Sequence, residues 1–236
     1  MALEDIYQSF MADELPGFGP IWELVRRTSK APPDFDPLHF YRSSDEKILR
    51  SRARLTRLPN EEKALAREYR SSLRKQAKRE KRRADRAERI RLGLPAKTSK
   101  TELPYKKMHG YLAFTHRRKR HRELLARVGD YFGAYCNMQG DFYYPPGGFR
   151  GWHTNKFDKA GWRMYIVDVE EPGKSFFRFK DPESGEMVTH RDLAGQVNFF
   201  KIDPEHLLWH CIVSPETHRW SKGFAIPDDW HHRVCP

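Results

Sequence analysis

Two histidines and an arginine–serine pair are the residues whose types and spacing could do chemistry. His210 lies in the apolar run 207–213, where strand alternation puts Leu208, His210 and Ile212 on one face. An imidazole on an inward, apolar face needs a hydrogen bond, a charge partner or a metal. His153 stands beside Trp152, just after the turn-rich stretch Tyr144-Pro145-Pro146-Gly147-Gly148. Arg219 follows nine residues after His210, with Ser221 two further on. On a strand over 218–226 both project from the same face. A guanidinium beside a hydroxyl is a receptor for a carboxylate. Taken singly, each of these has a plainer explanation. The chain has 11 histidines, a strand histidine is commonly a hydrogen-bonded core residue, and an arginine is commonly at the surface. Order and spacing distinguish the set, because three separate pieces follow one template.

That template resembles the iron(II)- and 2-oxoglutarate-dependent oxygenases, a superfamily that includes prolyl hydroxylases and nucleic-acid demethylases. Its motif is His-x-Asp/Glu, a distal His, then Arg or Lys about ten residues later, sometimes as Arg-x-Ser. The matching text is His153-Thr154-Asn155, His210 and Arg219-Trp220-Ser221, with the second histidine 57 positions after the first. The resemblance covers about 100 residues. It implies a double-stranded β-helix in which His153, Asn155 and His210 take the Fe(II) positions, with Asn155 replacing the usual carboxylate. It also implies that Arg219 and Ser221 hold the distal carboxylate of 2-oxoglutarate, with Tyr165 or Tyr144 as a second donor. The implied activity is hydroxylation of an unidentified protein, nucleic acid or small molecule. An amide oxygen is a weaker, neutral donor than a carboxylate. Three outcomes follow: Asn155 ligates weakly, Asp158 supplies the anion, or the fold persists as a scaffold without redox chemistry.

The elements that must position these residues are short strands. Aromatic and β-branched runs at 163–169, 175–179, 186–190, 196–202, 207–213 and 219–226 are separated by turn signals such as Pro172-Gly173, Asp203-Pro204 and Ser214-Pro215. Short strands with regular turns and no intervening helices predict an all-β sandwich or jelly roll over residues 130–236, and the resemblance narrows this to the jelly roll. Before it come an aromatic- and proline-containing segment, 1–41, and a basic, mostly helical region, 42–129. A short helix is expected near 21–28. A long one is expected from the Pro59-Asn60 start signal to the Gly93 and Pro95 stop, then a loop over 94–110 and a second helix over 114–129. The whole is expected to be α+β.

Of the formal net charge of +12, the segment 42–127 carries 29 Lys+Arg against 10 Asp+Glu. So concentrated a charge points to a polyanionic partner, nucleic acid first and an acidic protein surface second. Lys78, Arg79, Lys81, Arg82, Arg83 and Arg86 are the candidate contacts, although a solvated helix face or an assembly arm explains them equally well. A basic arm on an inactive fold would suit a structural component, for example of a virus particle. Cys136, Cys211 and Cys235 make an odd count with no CxxC, so no disulfide framework is expected. No apolar run approaches a membrane span, and the acidic N-terminus does not read as a signal peptide, so a cytoplasmic location is expected.

Overall fold

The computed structural model describes residues 3–32, 35, 55–94, 105–108, 110–115 and 121–234. Its eleven strands form two antiparallel sheets. The major sheet has the order β1 (Tyr7–Met11), β9 (Gln196–Ile202), β6 (Gly161–Val169), β11 (Arg219–Ala225), β4 (Asn137–Tyr144), β3 (Tyr111–Phe114), β2 (Tyr105–Met108). The minor sheet has the order β5 (Gly148–His153), β10 (His210–Ser214), β7 (Phe176–Lys180), β8 (Met187–Arg191). This is the two-sheet antiparallel architecture expected from the strand pattern.

Helices cover both outer faces. On the major sheet lie α1 (Gly19–Thr28), α3 (Arg122–Phe132) and the short α4 (Trp230–Val234). Their apolar stripes, including Ile21, Val25, Leu124 and Val128, meet Met164, Ile166, Phe199 and Phe224 of the sheet. Trp230 is fully buried there and stacks on Phe199 at 3.8 Å. Between the sheets a second core gathers Tyr7, Tyr144, Phe177, Phe179, Phe200 and Ile212. Against the minor sheet lies α2 (Glu61–Arg91). Asn60 caps it, its side-chain oxygen accepting from the Lys63 amide at 2.9 Å, and Glu61 and Glu62 sit at the positive helix end.

Several expectations need correcting. Residues 111–114 form strand β3, ending on Phe114 where the second helix was expected to start, and β2 lies inside the expected loop. The second helix begins only at Arg122, and residues 116–120, including Arg117, Arg118, Lys119 and Arg120, lie outside the described residues. The strand carrying His210 begins at that residue, not at 207. β1 pairs with β9 over five residues, so part of the N-terminal segment is an edge strand of the major sheet. His231 is half-buried on Trp230, at 3.7 Å, where a surface pair with His232 was expected.

Candidate functional site

β5 and β10 bring the two histidines together. His153 and His210 are direct partners in the antiparallel ladder, and their ring centroids lie 4.1 Å apart. Each ring is oriented by its own backbone. His153 Nδ1 donates to the Gly151 carbonyl at 2.7 Å, and His210 Nδ1 donates to the Leu208 carbonyl at 2.9 Å. A carbonyl only accepts, so Nδ1 carries the proton in each ring and the Nε2 lone pairs are left for another partner. His153 Nε2 is buried and has no hydrogen-bond partner. Burial pushes both imidazoles toward the neutral form, with the Arg150 charge adding to it; His210 falls to about 3 and His153 lies well below its ordinary value.

β11 supplies the arginine–serine pair. It lies between β4 and β6, and Arg219 stands directly across from Tyr144. Arg219 and Ser221 are both buried and both line a cavity between the sheets, together with His210, Asn155 and Tyr165. The Arg219 guanidinium lies 5.2 Å from the Tyr144 ring centre. Its Nε and Nη2 donate to Asp192, at 2.8 and 3.4 Å, while its Nη1 is buried without a partner. The Tyr144 hydroxyl is likewise buried and unpartnered, and burial raises its pKa, keeping the O–H as a donor. Tyr165 is held between Phe142 and Phe200. Its ring lies across Gly223, where any Cβ would meet it at 2.3 Å, so only glycine leaves it this position.

Asn155 lies on the same cavity, but its side-chain oxygen accepts from Arg150 Nη2 at 3.0 Å. Asp158, the other candidate anion, is half exposed and pairs with Lys75 at 3.8 Å. Among the described residues no group of three or more His, Cys, Asp or Glu side chains could hold a metal ion. Two neutral imidazoles are ordinary donors to a divalent transition metal, but here no carboxylate joins them and the Asn155 oxygen is engaged by Arg150.

Two residues that contact these groups escaped the sequence. Arg150 is three residues from His153, an odd separation that a regular strand would place on opposite faces. The ladder register shifts by one residue between the two, since His153 faces His210 while Arg150 faces Ile212. This bulge brings Arg150 to the cavity wall. Gly151, inside a strand, was the available signal. Asp192 sits in the turn after β8, where Ser175 Oγ also donates to it at 2.7 Å; no local pattern links it to Arg219.

The cavity is small, about 20 Å³, which is room for about one water. Beside it, α2 and β5 enclose a groove of about 690 Å³ that reaches Arg150 and His153. The basic residues Lys78, Arg79, Lys81, Arg82, Arg83 and Arg86 lie further along α2, all exposed and away from the cavity.

No protein-family model matches the chain, and no curated protein matches it. Among solved structures, it is similar to a prolyl-4-hydroxylase from Pseudomonas putida (15% identity, 61% of this chain and 83% of that one, TM-score 0.38). It is similar to an oxidoreductase of the 2OG-Fe(II) oxygenase family from Burkholderia pseudomallei (14% identity, 64% and 94%, TM-score 0.39). It is also similar to a full-length Neurospora crassa protein in complex with alpha-KG (15% identity, 48% and 43%, TM-score 0.30). The first two of these carry names that belong to the superfamily the motif order resembles. Identities and scores this low assign no residue roles.

Proposed function

We propose that the chain is an Fe(II)- and 2-oxoglutarate-dependent oxygenase. One observation carries this reading: three buried polar atoms are without partners, Arg219 Nη1 on the cavity wall, Tyr144 Oη on the ring beside that guanidinium and His153 Nε2 on the ring beside His210. Orphaned polar atoms are costly, and three in one place imply a ligand that satisfies them. A metal satisfies the imidazole, and a carboxylate satisfies the phenol and guanidinium together.

In this reading His153 and His210 hold the metal through Nε2, and Asn155 offers its amide oxygen. Arg219 Nη1, Tyr144 and Ser221 bind the distal carboxylate, and Asp192 fixes the direction of the guanidinium. Phe142, Phe177, Phe200 and Ile212 keep the cavity apolar. Metal and co-substrate would supply the oxidation, one atom of O₂ entering succinate as 2-oxoglutarate loses CO₂ and the other entering a C–H bond. The cavity must widen to admit the co-substrate. Moving Arg150 off Asn155 would free both the space and the amide oxygen.

The Arg150–Asn155 bond also favours a second reading, a degenerate site on a structural or nucleic-acid-associated protein. Anaerobic Fe(II) plus 2-oxoglutarate separates the two. The oxygenase should show the weak visible charge-transfer band of the chelate and then form succinate in air. Tyr144→Phe, which removes only the orphaned hydroxyl, should weaken 2-oxoglutarate binding about tenfold. Absence of the band and of succinate, in the wild type and in Asn155→Asp alike, would leave the degenerate site.

A further inference from the structure

α2 builds one wall at the mouth of the site. Its first turns place Ala64 and Leu65 in one apolar cluster with Trp152, Trp209 and Cys211 of the minor sheet. Arg67 Nη2 donates to the Trp152 carbonyl at 3.1 Å. Glu68 accepts from the Thr154 amide at 2.6 Å and from its hydroxyl at 2.9 Å. These bonds bracket His153. The groove between helix and sheet has Trp152 and His153 on one side and the cations Lys63 and Arg67 on the other. Its one carboxylate, Glu68, is already engaged by Thr154. The groove is therefore cationic, and it leads to an imidazole.

Beyond the groove, α2 is exposed from Leu73 to Glu88. From Arg70 to Arg91 it carries 11 basic residues against three acidic ones. At 100° per residue, ten of those cations fall within an arc of about 220°. Leu73, Ala77, Ala84 and Ala87 occupy the remaining side. A protein partner is bound through buried aromatic or aliphatic anchors, and this face offers almost none. A phosphate backbone needs only the cations.

A second observation is independent of charge. Tyr69 and Phe157 are in contact, with ring centroids 5.4 Å apart and the planes tilted by 50°, one residue beyond Glu68 of the groove, and remain 51% and 38% exposed. The Lys75–Asp158 ion pair lies next to them, one residue from each of the same two segments. Exposed aromatic rings at the edge of a track of cations can receive unpaired bases by stacking. A duplex keeps its bases stacked inside and gains nothing from such a pair.

We infer that α2 and the Tyr69–Phe157 pair bind single-stranded nucleic acid and lead it along the groove to His153, so that a single-stranded nucleic acid is the substrate class of this site. The substrate assignment rests on the oxygenase reading, whereas the binding surface does not.

The test is fluorescence anisotropy of the full chain with labelled oligothymidylate, oligouridylate and a blunt duplex, each about 12 nucleotides long, a length within the usual footprint. No iron or 2-oxoglutarate is added. Single strands should bind more tightly than the duplex, and a preference for one of the two single strands names the polymer as DNA or RNA. Replacing Lys78, Arg82 and Arg86 together by Gln should lower the slope of log affinity against log salt by about 2, since each phosphate contact on a single strand contributes about 0.7. Tyr69→Ala should weaken single-strand binding about tenfold and leave duplex binding unchanged. Equal affinity for duplex and single strand, indifference to Tyr69→Ala, or displacement by polyglutamate at equal charge would overturn the inference, the last in favour of an acidic protein. Loss of nucleic-acid binding with succinate formation intact would sink this inference alone. Binding without any succinate would sink the oxygenase reading and keep the surface.

Discussion

Asn155 has a φ of 60°, the only left-handed backbone outside glycine among the described residues. Asparagine and aspartate tolerate that conformation best, so Asn155→Asp keeps the turn. It also puts a formal anion beside Arg150, which pairs with no carboxylate among the described residues, and beside two neutral imidazoles. An anion strengthens a divalent-metal site and also pairs with Arg150. Because the metal carries twice the charge, the metal should win. The expected result is at least about tenfold tighter binding of Fe(II), or of redox-inert Zn(II), by titration calorimetry. Unchanged affinity would place the 155 side chain outside the metal sphere. At this scale much was legible in sequence. Alternation every two residues placed His210, Arg219 and Ser221 on inward faces, and all three are buried. Arg150 was hidden because a one-residue bulge reverses that parity, and Asp192 because its partner lies 27 residues away across the fold.

Elements differ in how far they are written locally. α2 announces itself with Pro59-Asn60 and runs without Gly or Pro to Arg91, so its limits were readable. β1 was not readable, since Tyr7–Met11 has no turn punctuation and its partner β9 is almost the whole chain away. β2 and β3 were obscured by the surrounding basic text. What local sequence could not give is where α2 docks, and that docking depends on a few contacts. Glu68 is the most informative, since it holds both polar groups of Thr154 between His153 and Asn155. Glu68→Ala should raise amide exchange at Thr154 by about tenfold or more, equivalent to the roughly 1.5–3 kcal/mol of a charge-assisted hydrogen bond. Glu80→Ala, on the exposed half of the same helix, should leave that exchange unchanged. Hydrogen exchange read by mass spectrometry distinguishes them. Equal protection at Thr154 in both variants would mean that apolar packing alone seats the helix.

Across the whole molecule, three apolar layers share one property. Cys136 lies in the core between helices and major sheet, Tyr7 and Tyr144 lie between the sheets, and Cys211 lies under α2. Burial raises the pKa of all four, Cys136 to about 11 and Cys211 to about 12, with both tyrosines well above their usual value of 10.0. Each is a neutral acid in the fold that ionises more easily once unfolded. Between pH 9 and 11 the unfolded chain therefore holds fewer protons than the folded one, so stability is complete below pH 9 and declines as pH rises. One thiol contributes about 1.4 kcal/mol for each pH unit across that window. Thermal unfolding midpoints should drop progressively from pH 8.5 to 10.5, because these groups release their protons only when the layers separate. Cys136→Ala costs a cavity at neutral pH but should flatten the alkaline limb by about one proton, whatever its effect on the midpoint at pH 7. A slope identical to that of the wild type would mean that the Cys136 thiol ionises in place and that the layer of helices over the major sheet is open to solvent.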